Sequence, residues 1–218
     1  MTEQLATHRP AARLVGTLTV AGALAGLLLV LVNSWAEPRI IAHRAEVLRE
    51  AIQEVLGAPE RYETLFLVDG AFTSDLPATV DSMGLDRVYI GYDASGRSVG
   101  YAIAGGEPGF QDVIRLLFAF DPVNGRIRGM KVLESKETPG LGDKIEKDTA
   151  FVAGCSDPAP PLVGVKPGSR SDDDHEVDMI TGATISSRAV IRIINHRVEE
   201  LDPYLRAYEV AAAGKGAP

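Results

Sequence analysis

The chain has 218 residues, room for one single-core domain or for an anchor followed by such a domain. Hydrophobic residues at 45% and charged residues at 24% are ordinary for a folded protein and argue against disorder throughout. A formal charge of -8 argues against a nucleic-acid partner, whose phosphates attract basic surfaces.

The first strong pattern is LVGTLTVAGALAGLLLVLV, from Leu14 to Val32, which carries no charge and only Thr17 and Thr19 as polar side chains. As a helix it rises about 28 Å at ~1.5 Å per residue. That is enough to cross a hydrocarbon core of ~30 Å. Arg9 and Arg13 precede the run and Trp35 follows it at interfacial depth. The positive-inside rule then places the N-terminus in the cytoplasm and everything after Glu37 outside. A cleaved signal peptide is the rival, because Ser34-Trp35-Ala36 has the small-x-small pattern. The apolar run exceeds the usual h-region of about 7–15 residues, so an anchor is preferred.

Pro38 can open a new helical segment. Ile41, Ala45, Leu48, Ile52 and Val55 then form one apolar stripe at helical spacing, with Gly57 as the stop. From Asp86 the period changes. Segments 87–92 and 98–103 flank a turn around Gly96, and 113–120 and 127–133 flank Asp121-Pro-Val-Asn-Gly125, so two hairpins are expected. A short helix is expected within 143–152 and a long surface loop over 154–177, which is rich in Pro, Gly and Asp. The last helix should run from about Ile185 to Glu199, Pro203 should interrupt it, and the tail after Val210 should fray.

The fold class expected is therefore α+β: a twisted antiparallel sheet with flanking helices, hung from one N-terminal transmembrane helix. The boundaries are a cytoplasmic N-terminus at 1–13, an anchor at 14–36, a connecting helix at 37–57, an extracytoplasmic domain at 58–203 and a tail at 204–218. Cys155 is the one cysteine; it has no disulfide or CxxC partner and reads as a packed small hydrophobe.

Two polar, glycine-containing segments lie between regular elements: Glu137-Thr138-Pro139-Gly140-Leu141-Gly142 after a predicted strand, and Asp178-Met-Ile-Thr181-Gly182-Ala183-Thr184 before the last helix. A helix N-terminus offers unpaired N–H groups and the positive end of the macrodipole, so the second segment suits a phosphate. From spacing alone, however, Thr184 or Ser186 serving as a plain helix cap is the simpler reading.

The second segment resembles the flavinylation motif D-x-x-[ST]-G-A-[ST] of the FMN-binding domain family, and the first resembles that family's second signature, a loop packed beside the flavin. Within the family, ETPGLGDKIE and GATISSRAV are most similar to the RnfG branch, the G-type component of Rnf electron-transport complexes. The resemblance implies that FMN is esterified through its phosphate to Thr184 by a dedicated flavin transferase using FAD. Asp178, Thr181, Gly182 and Ala183 would then be recognition residues, with Glu137, Thr138, Pro139, Gly140, Leu141 and Gly142 beside the cofactor. Leu141 would contact the ring, the Gly140 and Gly142 backbones would permit close approach, and Thr138 and Thr181 would bond the ribityl chain or phosphate. For Glu137 two readings stay open: a place beside the flavin, or a role in orienting the loop.

The resemblance further implies an electron-transfer role in an ion-translocating ferredoxin:NAD⁺ oxidoreductase of a bacterial inner membrane. The other Rnf subunits and the lipid bilayer would be partners, and ferredoxin and NAD would be bound by those other subunits. The alternatives are NqrC, the equivalent component of the sodium-translocating NADH:quinone reductase, disfavoured by GLGDK after Pro139, and a non-redox tethered scaffold.

Other constellations carry less. Asp172, Asp173, Asp174, Glu176 and Asp178 with His175 lack the spacing of a calcium loop. Gly140-x-Gly142 lacks the third glycine of a dinucleotide fingerprint, since Ile145 stands there. The four histidines show no metal-ligand spacing, and HExxH does not occur.

Overall fold

The computed structural model describes residues 11–76 and 84–214. Arg9 and the last four residues of the tail lie outside them. The chain divides into one unit ending at Val47 and another beginning at Leu48.

In the first unit, helix α1 (Ala11–Val55) begins and runs unbroken through Pro38. The expected new segment at Pro38 is thus a continuation. Arg39 lies 3.7 Å over the Trp35 ring, an i,i+4 stack across the proline that only helical backbone permits. Leu14, Leu18, Leu24, Leu28 and Leu31 are all more than half exposed. Thr17 and Thr19 donate to the carbonyls of Leu14 and Val15 at 2.9 Å, so the two hydroxyls of the run are satisfied within the helix. By length and composition the helix can cross a membrane, an 18-residue window within it reaching a mean hydropathy of 2.4.

In the second unit, α1 ends where Gly57 and Ala58 adopt left-handed φ values of 70° and 56°. Of the expected stripe, Ile52 and Val55 are buried and Leu48 is half-buried, whereas Ile41 and Ala45 are exposed. A six-stranded sheet follows, in the order β2-β1-β3-β4-β5-β6. Strands β3 (Arg87–Tyr92) and β4 (Ser98–Pro108) form the first expected hairpin, and β5 (Val113–Asp121) and β6 (Arg126–Glu134) the second. Every neighbouring pair is antiparallel. Strands β1 (Arg61–Val68) and β2 (Ala71–Thr73), in the stretch that sequence reasoning left unassigned, complete it. Buried Asp121 fixes the β5–β6 turn, its Oδ1 accepting from Val123 and Asn124 N–H at 3.0 and 3.1 Å.

The expected helix within 143–152 is two short ones, α2 (Lys144–Lys147) and α3 (Thr149–Gly154). They break at Asp148, whose carboxylate caps α3 through Ala150 and Phe151 N–H. Residues 154–177 are not a plain surface loop. Leu162 and Val177 are buried, and strands β7 (Val163–Val165) and β8 (Glu176–Asp178) pair in parallel. A composition rich in Pro and Gly hid those short strands.

Helix α4 (Thr184–Gly214) is not interrupted at Pro203 but continues through it, and the cause is packing. Leu201 and Leu205 on either side are fully buried, and the Tyr101 hydroxyl holds Glu209 beyond them at 2.7 Å. Packing of both flanks outweighs one missing helical bond. Residues 211–214 are accordingly helical. Along α4, Ala189, Val190, Ile193, Ile194, Val198, Leu201 and Leu205 pack in the main core beneath one sheet face. Ala51, Ile52, Val55 and Leu56 cover the other face at Tyr89, Ala102, Leu117 and Ala119. The α+β class expected from sequence is the class observed.

Candidate functional site

The opening of α4 decides between a cap and a site. Ser187 N–H bonds to the Ala183 carbonyl at 2.9 Å, which makes Ala183 the residue preceding the first helical turn. Alanine has no capping oxygen. Ser187 Oγ instead donates to the Ala183 carbonyl at 2.9 Å and accepts from Ile180 N–H at 3.2 Å, holding the preceding turn. Ser186 Oγ turns inward to Glu137. Thr184, the first helical residue, is exposed, and among the described residues its hydroxyl has no hydrogen-bond partner. The capping explanation of Thr184 therefore fails. Its hydroxyl stands free beside the amides that open α4, which have no intrahelical acceptor.

Thr184 lines a cleft of about 290 Å³. Gly182, Ala183, Thr184, Ile185 and Ser186 form one side, and Glu137, Thr138, Leu141 and Gly142 another. The two sequence segments, some forty positions apart, are thus brought together. Gly182 has φ 82°, and a Cβ built there would lie 3.5 Å from Leu141 Cδ2, so the two loops touch. Pro139 and Gly140 form the exposed tip of the first loop, where Gly140 takes φ 78° for the turn.

Glu137 is the organising side chain. It is 5% exposed, yet its carboxylate is fully occupied: Oε1 accepts from Phe110 and Gln111 N–H at 2.9 and 3.0 Å, and Oε2 from the Ser186 hydroxyl. Burial pushes its pKa up, but the hydrogen bonds from Ser186, Gln111 and Phe110 outweigh burial and hold it below the usual carboxylate value. Gly142 is small for the same reason: a Cβ there would fall 2.6 Å from Glu137 Oε2 and 2.9 Å from Ser186 Oγ. Its missing side chain makes room for the carboxylate.

Asp178 and Thr181 lie elsewhere. They line a neighbouring cleft of about 390 Å³ with Lys144, Asp148, Phe151 and Arg170, and Asp178 Oδ1 accepts from Gly168 N–H at 3.0 Å. The motif therefore straddles two clefts, with Gly182 at the divide. The acidic run does not converge: Asp174 pairs with Arg126, Glu176 accepts from Ser171, and Asp173 accepts from His175 N–H. Cys155 is fully buried and its thiol is pushed up to about 12 by burial, which leaves it inert at neutral pH. Sequence reasoning missed Phe110, which lines the Thr184 cleft while 64% exposed. The signal was a lone aromatic in the polar turn Glu107-Pro-Gly-Phe-Gln-Asp112.

Fold and site together define a small α+β domain with a cleft at a helix N-terminus. The FMN-binding domain family matches residues 109–199, a span that holds both loops, Phe110 and the first half of α4. The G subunit of the ion-translocating oxidoreductase complex of Methanosarcina acetivorans is 30% identical over 190 residues, 86% of this chain and 92% of that protein. The corresponding G subunit of Cereibacter sphaeroides is 34% identical over 83% of each chain. The crystal structure of NqrC from Shewanella oneidensis shares the fold, with a TM-score of 0.65 at 20% identity over 76% of this chain and 99% of that one. The chain belongs to the family of G subunits of ion-translocating oxidoreductase complexes.

Proposed function

We propose that this protein is a membrane-anchored electron-transfer component of an ion-translocating ferredoxin:NAD⁺ oxidoreductase complex, carrying FMN esterified through its phosphate to Thr184. The observation that carries this is that exposed Thr184, its hydroxyl unbonded at the opening of α4, lines the same cleft as Glu137, Thr138, Leu141 and Gly142. The residues present fit the group. The α4 amides and dipole favour a phosphate at Thr184, Leu141 and Ile185 offer half-exposed apolar surface to a ring system, and Thr138 supplies a hydroxyl at the cleft. When bound, the flavin supplies redox chemistry that no side chain of the chain provides.

The chain's own part is to hold that ring. Covalent attachment keeps the cofactor on a domain facing a compartment where lost FMN would not be replaced. The apolar run of α1 anchors the protein in the bacterial inner membrane, with the N-terminus inside and the domain outside. Other members of the complex bind ferredoxin and NAD and exchange electrons with this one. A flavin transferase reads Asp178 through Ala183 during maturation. That Ala183 and not Thr184 occupies the capping position favours this reading over the tethered scaffold.

Intact mass after co-expression with a flavin transferase tests the reading. The wild type should gain the increment of one FMN, and Thr184→Ala should lack it while keeping the wild-type circular dichroism. Retention of the increment by Thr184→Ala would place the ester elsewhere, and an unmodified wild type would end the flavin assignment.

A further inference from the structure

We infer that Phe110, held in place by Glu137, is the aromatic wall against which the flavin ring packs. The inference rests on the flavin reading above and adds a third element, the β4–β5 turn, to the two loops already at the site.

The turn is fixed. Gly109 N–H bonds to the Asp112 carbonyl at 2.9 Å, Asp112 Oδ1 accepts from Val113 N–H at 2.7 Å, and Lys136 Nζ reaches Asp112 Oδ2 at 2.9 Å. The Phe110 and Gln111 amides are both clamped on Glu137 Oε1. Gly109 must be glycine for this clamp, since a Cβ there would stand 2.6 Å from Glu137 Oε1 and 2.6 Å from Ile114 Cδ1. So a turn with a clamped backbone presents a phenyl ring at 64% exposure, on the cleft that Thr184 also lines.

Leu141 and Ile185, each 49% exposed, complete an apolar lining in the same cleft. Such a set is uncovered at a cost to the bare chain and gains by contact with a planar apolar partner. A ring tethered at Thr184 is the partner the cleft can reach. Glu137 touches no part of the ring in this scheme. It is a positioning residue that links the aromatic turn, the 137–142 loop and the first turn of α4 through one carboxylate.

The test uses the full chain in detergent, co-expressed with a flavin transferase, with intact mass read first on each sample. Tryptophan in contact with an excited flavin donates an electron and takes it back, which quenches emission. F110W should therefore show native emission per bound flavin several-fold below wild type, and emission equal to wild type after denaturation. Adding E137A to F110W should restore much of the emission, whereas adding E137Q, which keeps an acceptor oxygen for the two amides, should preserve the quenching.

If F110W carries the increment but fluoresces like wild type, the wall is elsewhere. If F110W lacks the increment while wild type has it, Phe110 serves the modifying enzyme and the inference is overturned. Quenching that survives E137A removes the role assigned to Glu137. A wild type without the increment overturns the flavin reading itself and this inference with it.

Discussion

Glu137 shows how one side chain converts sequence proximity into site geometry. It sits a few residues from Leu141, but its carboxylate oxygens are used by Phe110, Gln111 and Ser186, contributed by two other elements. Removing it by Glu137→Ala strands the buried Ser186 hydroxyl and two part-buried amides, at a cost of about 1–3 kcal/mol. The cost should depend on pH in a definite sense. The folded-state pKa lies below the ordinary carboxylate value. The stabilisation is therefore complete above the unfolded value of about 4.3 and is lost as pH falls through the folded value. Urea denaturation of the unmodified chain should show the wild-type advantage over Glu137→Ala at pH 7 shrinking on acidification. An advantage that stays constant would mean that the buried carboxyl is neutral. Of this, the sequence disclosed the glutamate and the loop, but not its partners, because Phe110 and Ser186 are 27 and 49 positions away.

At the level of elements, helix α4 lies on β4 without a gap because Gly105 has no side chain. A Cβ there would meet Ile193 Cγ2 at 2.5 Å and Arg197 Cγ at 2.9 Å, and Ile193 is 1% exposed. Gly105→Ala should cost roughly 1–3 kcal/mol by overpacking, since the buried isoleucine cannot swing aside. Its neighbour Gly106 points to the other face, where the nearest atom, Arg115 Cγ, is an ordinary 3.4 Å away. Gly106→Ala should therefore melt close to wild type. Equal melting temperatures for the two variants would contradict this packing. The strand expected from the sequence stops at 103, short of both glycines; which of them faces a helix is a matter of register, set by the β4–β5 pairing. The same element-scale logic explains Pro203, where local propensity predicts a break and flanking burial carries the helix through.

For the whole molecule, the last turns of α1 belong to the core of the second unit. Ala51, Ile52, Val55 and Leu56 are at most 5% exposed, against a sheet face formed by Tyr89, Ala102, Leu117 and Ala119. Three aliphatic side chains at roughly 1.5–3 kcal/mol each are comparable with a domain's whole margin of about 5–15 kcal/mol. A fragment of residues 48–218 should fold without detergent. One of residues 58–218 should aggregate or melt far lower, because it bares that face. Equal stability of the two fragments by thermal melting would show that the covering helix contributes nothing.

The amino-acid sequence by itself determined the elements whose signals are local. Chargeless length marked the apolar helix, alternation marked both long hairpins, and two short motifs marked the loops beside Thr184 and the family resemblance. Those follow from neighbouring side chains and need no partner to be legible. Tertiary structure alone decided the rest. It made β7 and β8 strands within a Pro- and Gly-rich stretch, because Leu162 and Val177 found a core to enter. It carried α4 past Pro203, freed Thr184 from capping by using Ala183 in that position, and brought Phe110 to the cleft through a distant carboxylate. Each of these depends on which residues meet across the sheet, and a buried hydrogen bond or packed methyl between distant positions leaves no periodic trace along the chain.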